Sequence, residues 1–554
     1  MRKRAKFNLS NFHNCTLKMG QLYPVHLQEV LPGDTIQMSQ SIFMRLAPMV
    51  APVMHPVYMF CHTFYVPSRV IANWMNSPSE YEAISSYKKF SFDFESFITG
   101  GPDGNDSQIF PLCEILKSDL SSAPAGTSFL ADAFGIPIQN LSDTSFRVNA
   151  LPFLAYYLIW NEYYRDQDLQ HPFYAGFNKG LWSVCRLVSE GEAQFYTYFP
   201  LLQPCWSKDY FTTARPWPQK GPEVTIPVQA AGGGFTGDVS LSVTGQPTFK
   251  ANGGLSTPGP NGFPVFLDSS NDSAMRGPLQ AQYSEGEGDV TATLSWDNPG
   301  LSAAFTSTTP SGIGSINLTD FREAMALQRF EEHRSLFGSR YEDYLRYLGV
   351  RPQDSRLQMP EYLGGFTSPV QFSEVLQTSA GENGGVGDLY GHGISAARGR
   401  RIRRFIPEHG YIMSLMCVRP IPVYAQGLER LWIKRTKEDF WQRELEHVGQ
   451  QEVYNCEVYA DGTSRDASIF GYQNRYDEYR RGVNVVTGEF RTNQDSWTMA
   501  RIFDNRPALN ADFVECNPTD RIFQVGKQNS DQLYCMVKNN VIAKRLVSKN
   551  GNPI

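Results

Sequence analysis

Residues 56–67 read "PVYMFCHTFYVP". Successive side chains of a strand point to opposite faces, and here both faces are apolar: Val57, Met59 and Cys61 on one, Tyr58, Phe60 and Phe64 on the other. Such a strand is stable only where the fold covers it on both sides. The run from Thr35 to Val66 is rich in β-branched, Met and aromatic residues and is broken by Pro48, Pro52 and Pro56, which predicts two strands joined by a proline-fixed bend. Glycine (46) and proline (35) with 13% aromatics favour turn-rich β architecture over a helical bundle, in a chain of 554 residues able to bury a large core.

The buried set continues downstream. "YIMSLMCV" (411–418) reads as a second fully buried strand, and "DQLYCMVKNN" (531–540) as one of the short strands of the last hundred residues. Phe153, Tyr157, Trp160 and Tyr164 stand at helical spacing within Val148–Tyr164. A core or subunit-contact helix explains them better than an aromatic binding stripe. The apolar stretch 148–161 contains Pro152 and falls short of the roughly 20 residues a spanning helix needs, so no membrane insertion is expected. "MRKRAKFNLSNFHNC" opens basic with no apolar run of signal length behind it, so export by that route is not expected either. Nine cysteines without a CxxC pair read as reduced, mostly buried thiols.

Residues 221–316 differ from their flanks. They hold sixteen glycines, eight acids and two bases, a net charge of −6 that equals the net charge of the whole chain. "DVSLSV" and "DVTATLSW" alternate as half-solvated strands do, so the segment reads as an acidic β-rich outgrowth rather than a linker. The chain therefore divides into 1–220, an insertion at 221–316, and 317–554. Beyond the insertion, Asp320 and Glu323 form a capping-box pair for a helix carrying Phe321, Ala324, Leu327 and Gln328 on one stripe. "GENGGVGDLYGHG" (381–393) reads as a loop.

Catalytic signatures do not emerge. The sequence has no GxSxG elbow, P-loop, HExxH or EF-hand spacing, and "GVGDLYG" (385–391) lacks the GxGxxG register. Glu408 and His409 are adjacent, and neighbours on a strand face opposite ways, so a structural histidine is the better reading. Asp166 and Asp168 lack further ligands for a divalent cation. No catalytic residue, metal ligand or cofactor is predicted, and the chain is read as a non-enzyme.

Basic clustering is the stronger signal. "ARGRRIRRF" (397–405) places Arg398, Arg400, Arg401, Arg403 and Arg404 together on a segment that reads as mobile, and Arg2, Lys3, Arg4 and Lys6 lie at the start. Guanidinium forks bind phosphate bidentately, so these nine residues are the candidate contacts to a nucleic-acid backbone. The competing reading pairs them with acids or leaves them solvated. Phe405, Tyr390 and His392 are near enough in sequence to stack on bases.

Several stretches then resemble one family together. "YPVHLQEVLPGDTIQMSQSIFMRLAPMVAPVMHPVYMFCHTFYVP" (23–67), "DYFTTARPWPQKGPEVTIP" (209–227), "REAMALQRFEEH" (322–333), "RLQMPEYLGG" (356–365), "EHGYIMSL" (408–415) and "IFGYQNRYDEYR" (469–480) are similar to the major capsid proteins of the Microviridae. The insertion after "PWPQKG" resembles the gokushovirus branch. The arginine run before Pro407 and the ending "AKRLVSKNGNPI" depart from the family pattern.

This resemblance implies a mainly β fold, an eight-stranded antiparallel jelly-roll β-barrel with long loop insertions and a few helices. It implies a homo-oligomer of sixty copies in a small icosahedral shell around circular single-stranded DNA, built in the bacterial host cytoplasm and residing in the virion. The insertion would form protrusions at the three-fold axes, with Phe235, Phe249, Phe263, Phe266 and Asp268 as host-facing candidates toward a surface receptor. Nine basic residues per subunit leave most genome phosphates unneutralised, so cations or a small basic DNA-packaging protein would cover the rest; a pilot protein is a further candidate partner. A stand-alone carbohydrate-binding jelly-roll adhesin is the alternative; a β-sandwich glycosidase would need a carboxylate pair that the sequence does not single out.

Overall fold

The computed structural model describes residues 4–76, 92–99, 110–115, 128–138, 146–178, 181–189, 192–196, 198–222, 224, 239–244, 247–251, 292–296, 300–305, 318–337, 345–348, 358–376, 389–524 and 531–549. The chain forms two compact units, Met1–Gly221 with Phe330–Ile554, and Pro222–Arg329.

The first unit is built on strands β1 (Ala5–Asn8), β2 (Asn11–Leu17), β3 (Tyr23–Val30), β4 (Thr35–Leu46), β5 (Val57–Pro67), β6 (Glu361–Pro369), β7 (Gln371–Leu376), β8 (Leu389–Arg398), β9 (Ile402–Phe405), β10 (Gly410–Pro420) and β11 (Leu533–Arg545). Sheet 1 runs β1/β2–β11–β4–β8–β7, with β9 also on β4; sheet 2 runs β6–β5–β10–β3, and every pairing is antiparallel. With β1/β2 and β8/β9 each taken as one interrupted strand and β7 as an added edge, eight strands remain. Their orders are first–eighth–third–sixth and second–seventh–fourth–fifth, which is jelly-roll connectivity. Among the described residues no ladder joins the two sheets, so the predicted barrel is realised as a two-sheet sandwich.

Residue pattern decides which faces are covered. In β4, Ile36, Met38, Gln40, Ile42, Met44 and Leu46 are buried, while the residues between them are not. In β11, Leu533, Cys535, Val537, Asn539, Val541 and Ala543 are buried and alternate with more exposed neighbours. Sheet 1 thus has one apolar face. Strands β5 and β10 are buried almost throughout, as two apolar faces require. One face of β5 meets sheet 1, where Thr63 Oγ1 lies 2.9 Å from Ser414 Oγ and 3.4 Å from Gln40 Oε1. Gln40 in turn donates to Asn539 at 2.9 Å, so the polar groups at the centre of the sandwich satisfy one another.

The other face of β5 is covered by helices. Helix α1 (Ser68–Asn76) follows β5 directly, and α2 (Leu151–Tyr163) is buried at Leu151 and from Phe153 to Asn161. His62 Nδ1 lies 2.9 Å from the Tyr164 hydroxyl, and the rings of Phe64 and Tyr163 are 4.7 Å apart. The aromatic stripe of α2 is core, with its polar tips satisfied by backbone: Tyr156 donates to Leu22 O, Tyr157 to Pro200 O and Trp160 to Gln203 O, each at 2.8 Å. The layers are sheet 1, sheet 2 and helices, and the outer face of sheet 1 lies on the far side from the helices.

Some expectations change. Leu389–Gly393 of the predicted loop are strand residues of β8, held by the ladder to β7; residues 381–388 lie outside the described set. Glu408 and His409 precede β10 rather than lying on a strand. Glu408 accepts from Arg69 at 3.1 and 3.3 Å, while the His409 ring packs against Phe94. Asp166 and Asp168 are ion-paired with Lys208 and Lys220 rather than solvated. Helix α3 (Leu318–Phe337) begins two residues before Asp320, whose carboxylate in the first turn still favours the helix dipole. Its Phe321 and Leu327 remain exposed, so that stripe is not core. In the second unit, Val239–Thr244 pairs with Gly300–Phe305, and Pro247–Ala251 with Ala292–Trp296.

Burial lowers the pKa of several histidines and so makes the fold acid-sensitive, His26 being the most deeply buried of them. His26 on β3 is 5% exposed with Nε2 unpartnered, and burial pushes its pKa down to about 4. The unfolded chain therefore takes up this proton first, and stability falls as pH drops from about 6.5 toward 4, by at most about 3 kcal/mol from this group. Urea unfolding of the unassembled protein is expected to show this decline, and His26→Gln to reduce it; identical slopes for both proteins would exclude His26 as a source.

Candidate nucleic-acid interface

The outer face of sheet 1 carries the charge. Odd-numbered residues of β4 and even-numbered residues of β11 point away from the core, and the ladders set them in rows. One row is Phe12, Lys538, Ser41 and Arg398. A second is Ile542, Gln37 and Arg403, and a third is Lys6, Lys544, Thr35 and Phe405. Toward the other end stand Asn14, Met536, Phe43 and Ala396, then Thr16, Tyr534, Arg45 and Ile394. No acid occupies these five rows. Arg4 joins the face at the Thr35 end: it donates to Thr35 Oγ1 at 2.9 Å and to Gly33 O at 3.0 Å, and its guanidinium lies 5.8 Å from the Phe405 ring centroid.

Seven cations are thereby gathered: Arg4, Lys6, Arg45, Arg398, Arg403, Lys538 and Lys544. Among the described residues none of the seven is in an ion pair, which distinguishes them from two arginines nearby. Arg404, one position out of phase with Arg403, turns inward and pairs with Glu361 of β6 at 2.8 Å. Arg545 pairs with the fully buried Asp34 at 2.9 Å. The predicted cluster is therefore divided by strand alternation. Arg398 and Arg403 face outward, and Arg404 is a structural ion pair. Arg400 and Arg401 sit in the turn between β8 and β9.

That turn breaks the sheet but is tied to it. The Gly399 N–H donates to Gln40 O at 2.8 Å, and a Cβ at Gly399 would come within 2.6 Å of the Phe366 ring. Beside the break lies a cavity of about 340 Å³ lined by Gly364, Gly365, Gly399, Arg400, Arg401 and Arg403. Arg2 and Lys3 lie outside the described residues. Tyr390 and His392 share the outward parity of Arg398, farther along β8. Sequence reasoning missed Arg45, Lys538 and Lys544. The signal was present in the period-2 pattern of "LYCMVKNNVIAKR", whose even positions oppose its apolar ones.

A face whose ladder rows hold cations and no acids, with Asp531 only at its edge against Thr16, and which interleaves Phe12, Phe43, Phe405 and Tyr534, has the composition suited to a polyanion with exposed aromatic bases. Of the host-facing candidates, Phe249 lies on the strand Pro247–Ala251; Phe235, Phe263, Phe266 and Asp268 lie outside the described residues.

Exposed apolar side chains recur on a second stretch. Between residues 428 and 502 the chain forms short turns in which Leu431 (61%), Trp432 (71%), Phe440, Trp441, Val448 and Val485 are exposed. The turns are held from below by ion pairs, Arg430 to Glu457 at 3.0 Å and Lys434 to Glu478 at 3.3 Å. Two tryptophans this exposed on a fixed scaffold are characteristic of an interaction surface. Among the described residues there is no group of three or more metal-ligating side chains, and no helix long and apolar enough to cross a membrane.

Comparison with known proteins agrees with the resemblance read from the sequence. The family model described as Capsid protein (F protein) matches residues 1–554. The chain is 32% identical to Capsid protein VP1 of Bdellovibrio phage phiMH2K, over 96% of this chain and 91% of that protein. It is 31% identical to Capsid protein VP1 of Chlamydia phage 1, over 95% and 91%, and 26% identical to Capsid protein VP1 of Spiroplasma virus 4, over 99% and 95%. These relatives leave the lone adhesin without support. A jelly roll with one basic open face and exposed aromatic turns, matched along its length by phage capsid proteins, belongs to the phage capsid protein (F protein) family.

Proposed function

We propose that sixty copies of this chain close into an icosahedral shell whose inner lining is the outer face of sheet 1, in contact with circular single-stranded DNA. The chain is a structural capsid protein, and self-assembly into the particle follows from that role. The observation that carries the DNA contact is the set of seven unpaired cations on the one sheet face that lies away from the helical layer. Sequence-independent backbone contact suits a shell protein, because the same face must accept every stretch of the genome.

The exposed aromatic turns between 428 and 502 supply contact between copies. Obligate interfaces bury on the order of 2,000 Å² or more, and a subunit enclosed by neighbours presents several such patches. The 221–316 insertion carries the net negative charge of the chain and faces outward, where it meets the host receptor. A small basic packaging protein neutralises genome phosphates that the capsid face leaves uncovered, a pilot protein accompanies the particle, and assembly takes place in the host cytoplasm.

Replacing Arg45, Arg398, Arg403, Lys538 and Lys544 together by Gln is expected to leave shells that form but hold less DNA. For the free protein, the slope of log affinity for single-stranded DNA against log salt should become shallower by about 3.5, at roughly 0.7 per lost phosphate contact. Arg404→Gln should lower stability without changing that slope. Unchanged packaging and slope in the fivefold variant would exclude the face. Trp432→Glu with Trp441→Glu should give folded protein that sediments as a subunit; wild-type particle yield would remove these turns from the contact surface. Deleting 221–316 with a short bridge should preserve the fold of the first unit and abolish host adsorption, and loss of the native circular dichroism spectrum would show that the insertion is structural.

A further inference from the structure

We propose that Cys15 and Cys535 form an oxidisable dithiol that closes to a cross-strand disulfide, stapling the N-terminal arm to the middle of sheet 1. The two residues are register partners in the antiparallel ladder between β2 and β11. Opposed residues in such a ladder have Cα atoms about 4.5 or 5.5 Å apart, and both values lie inside the roughly 4.4–6.8 Å that a disulfide spans. Both side chains are on the core side of the sheet. Cys15 shares the parity of the buried Leu17 and packs against the same core in which Cys535 is buried. The two thiols are close enough that Cys15 raises the Cys535 pKa. Among the described ladders no other two cysteines face one another in register, and the Cys61 thiol is engaged with Gln40 at 3.4 Å.

Access and chemistry favour this pair over the other buried thiols. Cys15 is the one cysteine that is not buried, and β2 is an edge strand laddered to β11 alone. With a low-molecular-weight disulfide as oxidant, the Cys15 thiolate attacks one sulfur, forming a mixed disulfide and expelling one thiolate. The Cys535 thiolate then attacks the Cys15 sulfur and expels the second. Two protein thiols are oxidised, one external disulfide is reduced to two thiols, and the two protons pass to the leaving thiolates. The adjacent Cys15 and burial push the Cys535 thiol up, so the second step is the slower one. A reducing medium leaves the dithiol open. An oxidising one fixes to β11 the arm that contributes Arg4, Lys6 and Phe12 to the basic face.

The test uses the full-length protein incubated natively with oxidised glutathione, then denatured in iodoacetamide and digested. Expected are a linked peptide joining Cys15 to Cys535, loss of two alkylatable thiols, reversal by dithiothreitol, and slower hydrogen exchange of residues 11–17 in the oxidised form. Cys15→Ser, at the less buried partner, should lose the link while keeping the native circular dichroism spectrum. In Cys535→Ser, Cys15 should accumulate as its glutathione adduct. Full alkylation of both cysteines after oxidation, or a wild-type Cys15 that stops at the glutathione adduct, would overturn the proposal.

Discussion

The structure depends on strands β5 and β10 having no solvated face. Each carries apolar side chains on both sides, so sheet 2 must lie between two apolar partners. Sheet 1 supplies one and the helical layer of α1 and α2 supplies the other. Once sheet 2 occupies the middle, sheet 1 is an outer layer with one face committed to the core and one that follows the alternation of its strands. The polar and basic character of that second face is a consequence of where the burial demand falls. Gln40, Thr63, Ser414 and Asn539 lie inside the sandwich without penalty because they bond to one another across it.

Strand alternation also sorts the arginines, and charge counting alone does not. Arg403 and Arg404 are adjacent in sequence and do unrelated work, one on the open face and the other paired with Glu361. Arg545 has the same structural fate beside Asp34. Among the described residues Arg404 is ion-paired, whereas Arg398 and Arg403 are not. The basic face also draws on segments far apart in the chain, since β1, β4, β9 and β11 each contribute to it.

Much of this was legible in the sequence. The two strands between Thr35 and Val66, the buried strand at 411–418 and the buried helix over 151–163 follow from apolar patterning that the core obeys. The loop expected at 389–393 failed because glycine-rich composition does not reveal a ladder partner, and β7 supplies one. The stripe on α3 failed for the complementary reason: a helical period in sequence does not provide a surface to bury it. Four of the seven cations stood in the two basic clusters of the sequence, Arg398 and Arg403 in one and Arg4 and Lys6 in the other. Lys538, Lys544 and Arg45 join them on one face only through the ladders that lay β4, β8 and β11 side by side.

The bond from Gln40 to Asn539 joins residues 499 positions apart, and β11 lies between β4 and the N-terminal strands. A growing polypeptide on the ribosome therefore carries a sheet with its central slot empty until the final strand emerges. Contacts of such sequence separation form slowly, and partly built β-sheets are open to mispairing while they wait. In the proposed role the same arrangement acts as a timer: the basic face stays incomplete until translation of the strand that fills it, so a nascent subunit would lack the full surface assigned to nucleic acid.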